Sequence, residues 1–510
     1  MNGAAPPHDE GAGHGLTDAI ERYRAVRREL EQSVLPLASS LDGRAFEFQA
    51  SLHGLELRLG GYVVVEHDGS ARLGQVLELE PARAEGAEMA LPGGPGGETM
   101  MRSSVAIRLA QGKGALLEGD GAPFHDALLR PATPEEVRDW TLRARGRHAV
   151  LEIGELALAP GVVAGLDAGG FNRHTFLCGQ SGSGKTYSLG VVLEELLART
   201  ALRMVVLDPN SDFVRLGTVR EGADPAVAER YAAAAGSISV HSGHPERTQR
   251  LRIRLKEISP AARAALLRLD PIADREEHAE LAELLAEGRL PTAASMADSS
   301  RPEGRRLALR ARNLGVEEFG VWAREEAGST LDAVRDPGER CVVVDLGSLA
   351  TPEEQALTAE AVLGELWHHR TERNPVLIVI DEAHNVCPAL PPDRLTALAT
   401  EHAVRIAAEG RKFGLYLLVS TQRPQKVHEN VLSQCDNLVL MRLNSTADAA
   451  HAQAVFAFVP PRLIDQARSF RLGEALVAGK ISPEPALVRF GARVAEEGGS
   501  DVPATWAAAR

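Results

Sequence analysis

A phosphate-binding loop between a predicted strand and a predicted helix constrains the fold of this chain more than any other feature. Residues 179–186 read GQSGSGKT, which matches G-x-x-x-x-G-K-[ST]. The apolar segment HTFLC (174–178) before them predicts a strand, and TYSLGVVLEELLART after them predicts an amphipathic helix. In that arrangement the loop amides and the helix N-terminus converge on an anion. The motif therefore predicts a domain that binds a nucleoside triphosphate.

Nine consecutive residues form the predicted nucleotide site. Glycines allow the backbone to approach the phosphates, Lys185 supplies a positive charge for the β- and γ-phosphates, and the Thr186 hydroxyl is a ligand for Mg²⁺. We therefore expect ATP and Mg²⁺ to bind here. The ATP-binding candidates are Gly179, Gln180, Ser181, Gly182, Ser183, Gly184, Lys185, Thr186 and Tyr187.

Two adjacent acidic residues follow a second apolar strand, VLIVI. Asp381 and Glu382 stand at its carboxyl end, which is where open parallel sheets bind ligands. Asp381 is a candidate metal residue that holds Mg²⁺ through water, and Glu382 is a candidate catalytic residue that polarises the attacking water. We expect His384 to form a local hydrogen bond rather than to act in catalysis.

A further strand, LYLLVST, leads to the candidate catalytic residue Gln422. If this strand neighbours VLIVI, the Gln422 amide lies beside the nucleotide, where it donates to a γ-phosphate oxygen and accepts from the attacking water. Basic residues crowd positions 403–426, where Glu409 is the only acid. Phosphate contact and a solvated helix face both explain this pattern. The basic residues are Arg405, Arg411, Lys412, Arg423 and Lys426.

From residue 133 onward, predicted strands alternate with helices, which is the pattern of a parallel α/β sheet. Most of the strands are continuous apolar runs, as expected when helices cover both faces. About 130 residues between the second and third strands are rich in Ala, Leu, Arg and Glu and predict inserted helices. The strand candidates are HTFLC (174–178), RMVVLD (203–208), CVVVDL (341–346), VLIVID (376–381), LYLLVST (415–421) and NLVLMRL (437–443).

The N-terminal part of the chain has a different pattern. Residues 1–15 contain no Val, Ile, Leu or aromatic residue, so we expect them to be disordered. From Thr17 to about Leu37, apolar residues three or four apart predict an amphipathic helix. Short alternating or β-branched runs between residues 45 and about 130 predict a small antiparallel barrel or sandwich.

These patterns divide the chain into several parts. The predicted boundaries are a disordered tail at 1–15, an N-terminal helix at 16–42, a β-barrel at 43–132, an ATPase core at 133–250 and 336–480, a helical insertion at 251–335 and a C-terminal extension at 481–510.

Composition excludes some classes of protein. The chain has 56 Lys and Arg against 70 Asp and Glu, a net charge of -14, so it carries no polybasic coat. Aromatic residues are only 4%, which argues against a surface that stacks unpaired bases. The four cysteines form no C-x-x-C pair and are expected to be buried thiols. Because we find neither a secretory leader nor an apolar run of ~20 residues, we expect a cytoplasmic protein without a membrane partner.

Several segments resemble the HerA branch of the HerA/FtsK superfamily of ring-shaped ATPases. They are the phosphate-loop segment, VVLDPNSDF, IDEAHNVCP and EGRKFGLYLLVSTQRPQKVHENVLSQCDNLVLMRL, of which the last two are the most specific. LGGYVVVEHDGSARLGQVLELE is similar to the N-terminal HAS-barrel of these proteins. The resemblance covers roughly residues 45–490. It implies an α/β fold, with a RecA-like P-loop ATPase core on a mostly parallel sheet, a small N-terminal β-barrel and an inserted helical subdomain.

The resemblance also implies a homo-hexamer with ATP at the subunit interfaces and double-stranded DNA in the central channel. In such sites a neighbouring subunit supplies an arginine finger, worth roughly 10³ to 10⁵ in rate. Arg411 is the first candidate, Arg442 the second and Arg405 the third. Asp208, at the end of RMVVLD, either orders the waters of Mg²⁺ or caps the following turn.

The same resemblance implies partners. Arg423 and Lys426 are the DNA-contact candidates. In the family the barrel is where a nuclease or another effector docks, and the helix ahead of the barrel either takes part in docking or braces the barrel. The leading hypothesis is an ATP-driven DNA translocase or helicase that works with such an effector in DNA end processing or anti-phage defence. The alternatives are a ring-shaped scaffold ATPase that regulates a bound effector and a conjugation or secretion motor.

Overall fold

The computed structural model describes residues 11–499 apart from 33, 53–54, 94–98, 120, 248, 287–300 and 324–326. The chain divides into two compact units. Residues 1–143 with 158–162 form the first, and residues 144–157 with 163–510 form the second. Within the described residues, no helix is both long enough and apolar enough to cross a bilayer.

The first unit contains a closed six-stranded antiparallel barrel, which resolves the choice between barrel and sandwich. The strands follow the order β1-β2-β5-β4-β3-β6, and pairing of β1 with β6 closes the barrel. Their bounds are β1 (Leu37–Ser40), β2 (Ala45–Ser51), β3 (Tyr62–His67), β4 (Ser70–Gly93), β5 (Thr99–Leu116) and β6 (Phe124–Pro131).

Aromatic side chains from β2 fill the barrel. Alternate residues of β2 point inward, as the two-residue period of a strand requires, and they include Phe46 and Phe48. Gly112 and Gly114 on the paired strand β5 leave room for these rings, since a Cβ on Gly114 would lie 2.1 Å from Cζ of Phe46. The glycines of the GKG segment are therefore packing residues.

Helix α1 (Gly11–Gln32) differs at both ends from the predicted helix. It starts at Gly11, within the tail that the sequence predicts to be disordered, while residues 1–10 lie outside the described part of the chain. Extension of an existing helix costs far less than its nucleation, so a Gly- and Ala-rich turn can continue it. It ends before Pro36, because the residue before a proline disfavours helix, and Leu37 opens β1 instead.

The last turn of α1 braces the barrel. Glu31 accepts a hydrogen bond from the Arg108 backbone amide at 3.0 Å, and Arg27 pairs with Glu31 at 2.8 Å. These contacts attach α1 to β5, as the bracing alternative expects, and docking by α1 stays a prediction. The helix α2 (Pro134–Ala144) follows β6.

The second unit is built on one twelve-stranded sheet. Its order is β12-β11-β13-β10-β14-β15-β9-β16-β17-β18-β7-β8, parallel from β12 to β16 and antiparallel from β16 to β8. The strands are β7 (Val150–Leu156), β8 (Val163–Asp167), β9 (His174–Cys178), β10 (Arg203–Asp208), β11 (Ile238–Ser242), β12 (Gln249–Arg250), β13 (Cys341–Asp345), β14 (Val376–Ile380), β15 (Leu415–Thr421), β16 (Cys435–Leu440), β17 (Glu474–Gly479) and β18 (Ala486–Phe490). The predicted mostly parallel α/β sheet is thus confirmed.

Helices connect the parallel strands. Helix α9 packs against α10, and α3 packs against α4 and β7. The helices are α3 (Lys185–Arg199), α4 (Pro225–Ala235), α5 (Pro260–Leu266), α6 (Arg275–Ala286), α7 (Pro302–Asn313), α8 (Thr330–Arg335), α9 (Pro352–His368), α10 (Arg394–Glu409), α11 (Glu429–Leu432), α12 (Thr446–Val455) and α13 (Pro461–Asp465).

Two predicted segments differ from the structure. Residues 251–335 contain helices α5 to α8, but they belong to the same compact unit as the sheet, so a separate insertion domain stays a prediction. The predicted C-terminal extension from residue 481 contains β18, a strand of the sheet between β17 and β7. Five residues are too short a run for periodicity to separate a strand from a loop.

Four cysteines, Cys178, Cys341, Cys387 and Cys435, are buried free thiols, as predicted. Burial raises the pKa of each thiol, to about 12 for Cys341 and Cys387. They are therefore protonated apolar core residues at neutral pH.

Candidate active site

The phosphate loop follows β9 at the carboxyl edge of the parallel strands. Its neighbours hold it on both sides: the Gly179 amide donates to the Thr421 carbonyl at 3.4 Å, and the Gln180 amide donates to the Arg442 carbonyl at 3.0 Å. Gly182 and Gly184 have φ of 72° and 91°, a left-handed backbone that favours glycine. Gly184 immediately precedes α3, so the loop opens directly onto a helix N-terminus.

Lys185 lies at the first position of α3 and contacts both acidic residues that follow β14. Its Nζ lies 2.7 Å from Oδ1 of Asp381 and 3.1 Å from Oε1 of Glu382, and it donates to Oγ of Ser420 at 3.1 Å. Burial would lower the pKa of Lys185, but the charges of the two carboxylates raise it above its usual value. The ammonium group is therefore charged and is held between the phosphate loop and β14.

Glu382 is held at both carboxylate oxygens. Gln422 Nε2 donates to Oε1 at 2.7 Å, and His384 Nδ1 lies 3.2 Å from Oε2. Burial would raise the pKa of Glu382, but the hydrogen bond from His384, the charge of Lys185 and the hydrogen bond from Gln422 together lower it to about 2. The backbone φ of Glu382 is 42°, a left-handed conformation that is uncommon for a non-glycine residue. Glu382 is thus an ionised and oriented carboxylate at neutral pH.

Gln422 lies where the sequence placed it. Strand β15 pairs with β14 on one side and β9 on the other, so the residue after β15 lies between the phosphate loop and the acidic pair. His384 Nδ1 also lies 3.0 Å from Oγ1 of Thr421, which links the two strand ends a second time. His384 thus makes the local contact that the sequence predicts, and its partners are Thr421 and the candidate catalytic residue Glu382.

The residues present fit a magnesium ion. Oδ2 of Asp381 is buried and has no hydrogen-bond partner, and the half-buried Thr186 follows Lys185 at the start of α3. In the described part of the chain, no cluster of three or more His, Cys, Asp or Glu residues could hold a metal alone. Mg²⁺ often binds through one or two protein ligands together with phosphate oxygens and water, and this donor set suits that mode.

Asp208 caps the turn after β10. Its carboxylate accepts from the Asp212 amide at 3.0 Å and from the Phe213 amide at 2.8 Å. Burial raises its pKa to about 7, and burial together with the charge of Asp381 raises the pKa of Asp212 to about 6. The structure contains the turn cap, and the ordering of Mg²⁺ waters by Asp208 stays a prediction.

The candidate arginines lie in different places. Arg442 Nη2 donates to the Gly182 carbonyl at 2.9 Å, so in this chain it contacts its own phosphate loop. Arg411 lies before β15, at the opposite edge of the sheet, and pairs with Asp436 at 2.6 Å. Arg405 is exposed on α10. Only Arg442 of the three contacts the phosphate loop.

The candidate DNA contacts Arg423 and Lys426 are exposed just after β15. Among the described residues, the structure assigns neither side chain an acidic partner at ion-pair distance. They lie one and four residues beyond Gln422, so exposed positive charge adjoins the candidate catalytic residues. Lys412 is equally exposed but lies before β15, at the other edge of the sheet.

A C-terminal segment, residues 491–499, supports the phosphate-loop helix and escaped prediction. Arg493 pairs with Glu194 of α3 at 2.8 Å, and the Arg493 amide donates to the Tyr187 hydroxyl at 2.8 Å. Gly190 makes room for this contact, since a Cβ there would lie 2.4 Å from the guanidinium carbon. One sequence feature points to this contact: Gly190 and Glu194 lie on the otherwise apolar face of α3, and a glutamate there indicates a polar partner for that face.

A family model described as "Helicase HerA, central domain" matches residues 151–298, a range that includes the phosphate loop. Among curated proteins, a probable helicase of Methanocaldococcus jannaschii, MJ1565, is 34% identical over 128 residues, which is 25% of this chain and 24% of that protein. The DNA double-strand break repair helicase HerA of Sulfurisphaera tokodaii is 35% identical over 127 residues, 25% of each chain. The chain therefore matches about a quarter of the length of these two relatives.

A longer match joins this chain to the DNA double-strand break repair helicase HerA of Pyrococcus furiosus. It is 24% identical over 405 residues, 67% of this chain and 69% of that protein. Among solved structures, VirB4 of Thermoanaerobacter pseudethanolicus has a TM-score of 0.46 at 14% identity and covers 68% of this chain and 97% of its own. The bacterial conjugative coupling protein TrwB has a TM-score of 0.47 at 14% identity and covers 71% of this chain and 92% of its own.

Proposed function

We propose that the chain is a P-loop ATPase of the HerA type and that it forms a homo-hexameric ring that couples ATP hydrolysis to movement along double-stranded DNA. The observation that carries the proposal is the contact of one lysine with two carboxylates, one of which is held by Gln422. The DNA repair helicases among its relatives support DNA as the substrate.

Each residue of the site has a chemical task in hydrolysis. Lys185 and the loop amides would bind and orient the phosphates, and Thr186 and Asp381 would hold Mg²⁺. When bound, Mg²⁺ neutralises charge that develops on the phosphate oxygens. Glu382 accepts a hydrogen bond from the attacking water and orients it, since its low pKa keeps it ionised. Gln422 positions Glu382 and offers its amide to the γ-phosphate.

Arg423 and Lys426 are the proposed DNA contacts. Two exposed cations without a partner in the described structure suit phosphate oxygens, and phosphate contact carries no base sequence. Both residues lie on the loop that follows Gln422. DNA bound to them would therefore affect the position of Gln422, which in turn positions Glu382. Arg411 is the proposed trans finger, and its pairing with Asp436 would then be exchanged for the phosphate of a neighbour.

A partner at the barrel completes the proposal. A nuclease or another effector would dock on the barrel, and the ring would serve DNA end processing or defence against foreign DNA. Helix α1 contacts β4 and β5 of the barrel, so an effector would have to bind elsewhere on the barrel or on α1 itself.

Steady-state ATPase activity with and without linear duplex DNA, measured together with the mass in solution, tests this function. We expect a hexamer whose activity rises several-fold with DNA. Arg423→Gln with Lys426→Gln should lower the DNA-stimulated rate more than the DNA-free rate and flatten the salt dependence of DNA binding. Lys412→Gln is the matched control, because it removes an exposed charge at the other edge of the sheet. A hexamer indifferent to DNA would contradict the translocase and support the scaffold ATPase.

A further inference from the structure

The sheet order gives the direction in which a bound nucleotide lies. The acidic pair follows β14, which lies two strands from β9 on one side, and β16 and β17 lie on the other side. Lys185 joins the phosphate loop to the acidic pair, so the γ-phosphate end faces β14. A nucleotide whose γ-phosphate lies at that end would extend its ribose and base toward the β16 and β17 side.

A short loop before β17 lies on that side, at the same edge of the sheet. Because β17 is antiparallel to β16, its first residue meets the carboxyl end of β16. The loop is anchored to the phosphate loop, since the Gly473 amide donates to the Ser183 carbonyl at 3.1 Å. It is anchored again by the Phe490 amide of β18, which donates to the Gly473 carbonyl at 2.9 Å. The backbone here is thus held on two sides.

This anchored loop presents an exposed leucine. Leu472 is 69% exposed although it sits between two hydrogen-bonded segments. Its Cδ1 lies 3.4 Å from the position of a Cβ on Gly184, and Cε of Met441 lies 3.7 Å from the same point. Gly184 is the residue just before α3, where the phosphates bind. An apolar side chain therefore lies against the phosphate loop on the side opposite the acidic pair.

We propose that Leu472 is the apolar platform on which the base of the bound nucleoside triphosphate lies. The proposal rests on the proposed function, and it assigns to this residue a part of nucleotide binding that the phosphate-loop motif does not contain. Aromatic bases present an apolar face, and covering that face and the leucine removes both from water. Binding through such a contact adds affinity for a nucleotide but none for a bare polyphosphate chain.

Calorimetric titration with two probes tests the platform. Wild-type protein and Leu472→Ala are titrated with the non-hydrolysable nucleotide AMP-PNP and with inorganic tripolyphosphate, both with Mg²⁺. The variant should bind AMP-PNP about fivefold more weakly, which corresponds to losing part of the burial of a leucine side chain. Its affinity for tripolyphosphate should not change. Leu472→Met keeps an apolar side chain of similar volume and should bind AMP-PNP like the wild type.

Leu309→Ala is the matched control, because Leu309 is 56% exposed on α7 and belongs to no part of the site. Equal affinity of wild type and Leu472→Ala for AMP-PNP would overturn the platform while leaving the ATPase intact. An equal loss for both probes would also overturn it, since it would assign Leu472 to the shape of the phosphate loop. Failure of the wild type to bind either probe would overturn the proposed function itself.

Discussion

The buried ion pair between α3 and the C-terminal segment makes stability depend on pH in a defined way. Glu194 and Arg493 have side chains that are 3% and 1% exposed, and their closest atoms are 2.8 Å apart. Arg493→Ala leaves the carboxylate buried with backbone amides as its hydrogen-bond donors, those of Val494, at 2.6 Å, and Ala495. We therefore expect the ATPase unit to be strongly destabilised at neutral pH and less so in mild acid.

The size of the effect follows from the proton that Glu194 can bind. Burial already raises the pKa of Glu194, and the charge of Arg493 opposes that rise, so the variant raises it further. In the folded variant Glu194 can avoid a buried charge by binding a proton. Binding that proton costs about 1.36 kcal/mol for each pH unit above the unfolded pKa of about 4.3. That limits the charge penalty to about 4 kcal/mol at pH 7.5 and about 2 kcal/mol at pH 5.5. Because the pKa of Glu194 is higher in the folded than in the unfolded variant, the free energy of unfolding of the variant falls as pH rises.

Urea unfolding followed by circular dichroism at pH 5.5 and 7.5, at one protein concentration, measures the difference. Glu194→Gln is the comparison, because it leaves the Arg493 guanidinium buried, and that group stays protonated at both pH values. Its cost should therefore be similar at the two pH values. Equal costs of Arg493→Ala at pH 5.5 and 7.5 would refute the reasoning.

Three further predictions concern the chemistry. Lys185→Ala should abolish ATP turnover, whereas Glu382→Gln should still bind ATP but turn it over roughly 10²-fold or more slowly; normal turnover in either would mean that the site is misassigned. His384→Ala should raise the pKa of Glu382 from about 2, because it removes a hydrogen bond to that carboxylate, and should move the acid limb of the kcat–pH profile upward; an unmoved limb would rule out positioning by His384. Arg411→Ala mixed with Lys185→Ala should regain part of the activity, since mixed rings contain intact interfaces, and no recovery would favour a role in cis.

The strands and the site edge were predictable because their signals are local. Five or six apolar residues in a row mark a strand covered on both faces, and each of the six predicted strands lies within two or three residues of an observed one. Asp381 and Glu382 come just after the strand β14, and Gln422 comes just after the strand β15. Parallel strands bring their carboxyl ends to one edge, so these side chains had to meet if their strands were neighbours.

The remaining features depend on contacts between distant segments. Strand β11, ISVHS, mixes polar and apolar residues and becomes a sheet strand by pairing with β13. The partner of Glu194 lies about 300 residues away at Arg493, and no periodicity carries that information. The contact of Arg442 with Gly182 likewise needs β16 beside β9. Sequence patterns predict which face of an element is buried, but they do not name the segment that buries it.

The pairing of β7 with β18 has a consequence for the order in which a ribosome releases this protein. Leu156 of β7 is the register partner of Val488 of β18, about 330 residues later. At ~5–20 residues per second, that interval is roughly 15 to 65 s of synthesis. The barrel strands, which end at Pro131, have been synthesised by then. The hairpin of β7 and β8 has also been synthesised, but the edge of β7 that pairs with β18 is still unpaired. Unpaired strand edges can pair with other chains. We therefore expect the yield of folded protein to depend on how long the edge of β7 stays unpaired, which is a matter of kinetics and not of the stability of the finished sheet.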